Sequence, residues 1–227
     1  MDERGAPQRD RWRELDRVTG IAGLAATLLL FAPIIAISTL GEPGFTATRD
    51  QAAEFFRNGD TAWVGAAEAT AALGMLAFLW FVAGLTTLLR RAEPEPAWRS
   101  TVALVSGVLV AAYGVIDGSW DAAFNRGDEL DPSVAIFAFD LGNLGFANAW
   151  LALGSFAIAT GWALLTGRAL AAWWGWWVIA AGVGLIAVRF AWESFAWTIP
   201  YFIFWAWVIA LAIRLIVRPA PESRAAR

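Results

Sequence analysis

The residues specify an all-α, polytopic membrane bundle of six transmembrane helices, and three observations say so. The 227-residue chain is 59% hydrophobic with a mean hydropathy of +0.54, and only 16% of it is charged, against about a quarter in a soluble domain. Several apolar runs exceed the ~18 residues that mark a membrane span. Short stretches rich in Arg, Asp, Gly or Pro separate those runs.

The elements follow in order. Met1 to Arg17 holds five Arg against five acids; it reads as a cytoplasmic tail with a short interfacial helix around Trp12 to Arg17. Val18 to Leu40 is longer than the 7–15 apolar residues of a signal peptide and is taken as a retained first span. Gly41 to Asp60 is a loop with a short helix capped by Asp50, its Ala53, Phe55 and Phe56 lying at headgroup level or simply on a surface. Thr61 to Leu89 is the second span, with small residues around Glu68 that let helices approach closely. Arg90 to Ser100 is a short loop with three Arg and two Pro. Thr101 to about Ala123 is the third span and Ser133 to Leu165 the fourth. A tight turn bearing Arg168 leads to the fifth, Trp173 to about Phe195, whose opening WWGWW is an aromatic belt. Thr198 to Val217 is the sixth, with Pro200 in its first turn, where proline is tolerated.

The organisation is a tail over residues 1–17, one membrane domain over 18–217 and a tail over 218–227. Arginines crowd the two tails and the loops at Arg90 and Arg168, whereas the alternate loops are richer in acid. Short arginine-rich loops stay cytoplasmic, so both termini are expected inside. All seventeen basic residues are Arg, the composition of a GC-rich genome. The expected location is therefore the cytoplasmic (inner, plasma) membrane of a bacterium, multi-pass.

Gly161 to Ile186, GWALLTGRALAAWWGWWVIAAGVGLI, resembles a turn-plus-helix of uncharacterised bacterial six-helix integral membrane proteins of the domain-of-unknown-function kind. Their pattern there is Leu-Pro-x-Trp-Leu-Gly-Trp; this chain has Ala171 in place of the Pro and Trp174 in place of the Leu. The likeness covers about a tenth of the chain. It implies the six-helix topology and no activity.

The absences narrow the chemistry. With no Cys and no His there is no thiolate nucleophile, no Ser-His-Asp triad and no Cys/His metal site. No catalytic residue, metal ligand set or cofactor is assigned, and no nucleic-acid partner is expected. The expected partners are the lipid bilayer and another membrane protein or a second copy of the chain.

What stands out is ionisable side chains inside apolar segments, which are costly in a membrane and mark functional sites by default. Glu68, Asp117, Asp121, Asp140, Asn143, Arg189 and Glu193 form the candidate polar cluster on the outward side. At ~1.5 Å per residue, Glu68 and Asp140 lie about 10 Å inside the outer ends of their helices. Counted from the inner ends they lie about 32 and 38 Å away, at or beyond the outer surface, so those helices must tilt, project or break. Spacing lets Asp117 share a face with Asp121, Arg189 with Glu193, and Asp140 with Asn143. Asn148 points elsewhere, as an interhelical hydrogen-bond group. Glu68 and Asp140 are expected to share a proton or to pair with Arg189.

Three functions fit these residues. The one needing least is a structural or partner-binding bundle. The second is a small proton- or cation-coupled transporter using Glu68 and Asp140. The third is an oxygen-ligand metal-dependent membrane enzyme using Glu68, Asp117, Asp121 and Asp140, which carboxylates permit in principle.

Overall fold

The structure, a computed structural model, describes residues 6–217, with side chains from residue 10. Eight α-helices run in chain order: α1 (Ala6–Ser38), α2 (Arg49–Asn58), α3 (Ala62–Ala92), α4 (Trp98–Ile116), α5 (Ser119–Phe124), α6 (Pro132–Gly167), α7 (Ala172–Val188) and α8 (Thr198–Val217). Six segments are long and apolar enough to cross a membrane: α1, α3, α4 with α5, α6, α7 and α8.

These six close into a ring. α1 packs on α3, α3 on α4, α4 on α6, α6 on α7, α7 on α8, and α8 returns to α1. The centre is filled rather than open: Phe78, Phe81, Phe156, Phe204 and Trp207 are all fully buried in one continuous core. Gly20 of α1 lies against Ala212 and Ile216 of α8, so the chain enters and leaves the ring at the same end.

Glycines set the close seam between α6 and α7. A Cβ on Gly161 would stand 2.6 Å from the Gly175 carbonyl, and one on Gly175 would stand 2.8 Å from that of Gly161. Gly154 and Gly182 repeat the arrangement at 2.7 Å each way. Both helices carry these glycines seven residues apart, two full turns, so the pairs fall on one stripe of each. In a bilayer, such backbone approach replaces the hydrophobic drive that lipid cannot supply.

At the other end sits a second, smaller core. Phe55 and Phe56 of α2, Phe124 of α5, Val64 of α3 and Ala135 and Phe139 of α6 are buried together there. This cap corrects the expectation for 41–60: Phe55 and Phe56 face a folded core, not the headgroups. The N-cap of α2 is Thr48 rather than Asp50, in a capping box with Gln51. Gly127 turns with φ 50° and stands where a Cβ would strike the Asp60 carboxylate, so a glycine is required at that corner.

Other boundaries also shift. α1 begins at Ala6 and runs unbroken to Ser38, because the strong helix formers from Arg11 to Leu15 offer no stop. Residues 1–5 of the first expected tail and the whole of the second, 218–227, lie outside the described residues. The third span breaks after Ile116. Asp117 accepts hydrogen bonds from the Ser119 amide (3.3 Å) and hydroxyl (3.0 Å), the local competition with helix that Asp, Gly and Ser provide. α7 stops at Val188 and passes into short 3₁₀ turns.

Candidate functional site

α6 organises the polar groups. Asp131 caps it, accepting from the Ser133 amide at 2.8 Å and from the Ser133 hydroxyl, with Pro132 in the first turn. These bonds, led by the Ser133 side chain, hold the Asp131 carboxyl below its ordinary value. α7 is tied to α6 where Arg189 Nε donates to Asn148 Oδ1 at 2.8 Å. Beyond that tie α6 continues through residues 132–147, about 24 Å along its axis. Along that stretch it meets α2 and α5 of the cap, Tyr113 of α4, and Trp197 and Tyr201 near the start of α8.

The carboxylates fall into different settings along this overhang. Tyr113 of α4 sits over Gly145 of α6, where a Cβ would strike its ring, while a Cβ on Gly142 would strike Trp120 and Ser119 of α5. The Tyr113 hydroxyl donates to Asp117 Oδ2 at 2.5 Å and lies 3.2 Å from the Gly142 carbonyl. Asp117 thus holds the tyrosine of its own helix end, and it is the Tyr113 side chain that lies against α6. Glu68 of α3 is half-buried beside Asp121 of α5. The Oε2 of Glu68 is shielded from solvent and takes no donor.

The expected pairings therefore differ from those found. Glu68 meets Asp121, not Asp140 or Arg189. Asp117 and Asp121 do not share a helix face, because the helix breaks between them. Arg189 and Glu193 are not an i,i+4 pair on one helix: Arg189 lies in a 3₁₀ turn bonded to Asn148, and Glu193 is exposed. Asn148 makes the interhelical bond expected of it. Asp140 is exposed, whereas Asn143, three residues on, is buried with its Nδ2 unpartnered. Among the described residues no three carboxylates gather where they could hold a metal ion.

Other ties repeat the theme. Ser106 and Ser155 join α4 to α6 at 2.8 Å. Trp177 Nε1 donates to the Ile203 carbonyl and Trp207 Nε1 to that of Trp174, joining α7 to α8 at 3.1 and 3.0 Å.

Sequence reading missed Glu93. It is buried between α3 and α4, and its carboxylate accepts from the Arg99 and Ser100 amides at 3.0 Å each and from Arg99 Nη1 at 3.1 Å. It serves as the cap that Ala97 lacks, at the positive end of α4. Burial pushes its pKa up, but the Ser100 and Arg99 hydrogen bonds outweigh that and hold it below 4.5.

No family model matches the chain, and no curated protein or solved structure matches it either. The functional reading rests on these contacts alone.

Proposed function

We propose that the chain is a multi-pass protein of the bacterial cytoplasmic membrane, both termini inside, whose role is structural or partner-binding: a rigid helix ring carrying a folded outer cap. The observation that carries this reading is where the charged side chains are spent. Asp117 is consumed by Tyr113 and Ser119 at the end of α4 and Arg189 in a tie onto α6, while Asp140 and Glu193 are exposed at the capped end. The orientation follows from Arg11, Arg17, Arg90, Arg91, Arg99, Arg168 and Arg214 at one end, against Arg49, Arg57, Arg126 and Arg189 among the acids of the other. The partner is another membrane protein or a second copy.

A small proton- or cation-coupled transporter is the second reading, favoured by the Glu68–Asp121 contact, which takes the place expected of Glu68 with Asp140. The aromatic filling of the ring speaks against a path through it.

One mutant series tests both. Tyr113→Phe and Asn148→Ala should each lower the thermal stability of the detergent-solubilised protein by about 1 kcal/mol, the worth of one net hydrogen bond. Asp140→Ala should change it by less than about 0.5 kcal/mol. Glu68→Gln supplies an amide donor to Asp121 and should leave folding intact. Stability untouched by the first two variants, with ion flux into proteoliposomes lost in Glu68→Gln, would replace the structural reading by the transport one.

A further inference from the structure

On the outer wall of the ring, between α1 and α3, lies an apolar groove of about 360 Å³ lined by Val18, Ile21, Ala22, Leu76, Ala77 and Trp80. Trp80 flanks it, 68% exposed. Eleven residues past Trp80, close to three turns of α3, exposed Arg91 stands on the same helical face, with exposed Ala83 and Thr87 between them. On α1, exposed Arg11 precedes Val18 by two turns, and exposed Arg17 adjoins it. The Arg91 guanidinium lies 4.2 Å over the Trp12 ring. Stacking occupies a guanidinium's face and leaves its edge donors available for two oxygens of a carboxylate or phosphate.

The charge around this end of the groove is unbalanced. Exposed Arg11, Arg13, Arg17 and Arg91 stand against exposed Asp10 and Glu14 on this stretch of α1, and Arg11, Arg17 and Arg91 are not held in an ion pair among the described residues. From Leu76 to Arg91 α3 covers about 22 Å, which runs from headgroup level through one half of a ~30 Å hydrocarbon core.

We propose that this groove binds one acidic phospholipid from the leaflet at the arginine-bearing end, with an acyl chain along Leu76 and Trp80 and its phosphate on Arg91 and Arg11. The site goes beyond the proposed function and rests only on its membrane placement. An acidic headgroup suits it because a zwitterionic one would bring its own cation against the arginines.

The test uses the full chain in mild detergent, offered equal phosphatidylglycerol and phosphatidylcholine, with bound lipid counted by native mass spectrometry. One phosphatidylglycerol should be retained, preferred over phosphatidylcholine by roughly tenfold or more, as two arginines near a lipid surface supply. Arg91→Gln, a surface change, should abolish most of that preference. Ala22→Phe, which fills the groove, should lower retention of both lipids. Equal retention of the two lipids, preference unchanged in Arg91→Gln, or a lipid-free dimer occupying the groove would each overturn the proposal. A chain that stayed in solution without detergent would refute the membrane placement instead.

Discussion

Glu93 shows how one side chain decides whether a helix can start. The first amides of α4 have no partner within the helix, and Ala97 offers no side-chain acceptor. The Glu93 carboxylate fills that role only while ionised. Its folded pKa lies below 4.5, so the stability it contributes is fully present above 4.5 and is lost as pH falls through the folded value. Glu93→Gln should cost about 1–2 kcal/mol near neutrality, since hydrogen bonds to a charged group are replaced by weaker ones and one amide is left unpaired. Thermal unfolding of both proteins from pH 7 to pH 3 checks this: the gap between them should close as the medium turns acid.

At the scale of elements, the α6–α7 seam has the tightest tolerance. Carbonyl oxygens stand where side chains would begin at Gly154, Gly161, Gly175 and Gly182. A methyl cannot push a backbone aside as it can a flexible side chain. Gly161→Ala should therefore destabilise by about 1–3 kcal/mol, the usual cost of overpacking. Gly65→Ala, in open space at the start of α3, should do no harm, and denaturation in mixed micelles compares the two. Much of this architecture was legible in the residues. α8 coincides with Thr198 to Val217 because Pro200 fixes its first turn and a clean apolar run follows. The break after Ile116 is also written locally, in Asp117-Gly118-Ser119, but the apolar count ran through it. The pairing of Glu68 with Asp121 was not legible, since it depends on how α3 and the turned-back α5 lie in three dimensions. No spacing along one helix encodes that.

For the whole molecule, two cores mean two units that need not yield together. The ring core holds the six spans, and the cap core holds α2 and α5 against the ends of α3 and α6. Phe56 is fully buried in the cap, with edge-on contacts to Trp120, Phe124 and Phe139 at 6.0, 5.0 and 6.4 Å. Phe56→Ala should remove about 3 kcal/mol or more from that unit. Hydrogen exchange should then quicken at α2 and α5 while the glycine seam keeps its protection, as expected of separate cooperative units. Uniform loss across the chain would show a single unit instead. The cap was half legible: Thr48-x-x-Gln51 followed by Ala52, Phe55 and Phe56 is a capped, one-sided helix. What it packs against came only with the fold.

The overhang of α6 past Asn148 gives the molecule an uneven skyline. α6 reaches the cap there, while on the turns between α7 and α8 Phe190 and Phe195 stand almost wholly bare. Whatever settles on these turns meets bare aromatic rings before it meets any charged group of α6. Such a profile dictates the angle of approach before any individual bond is made.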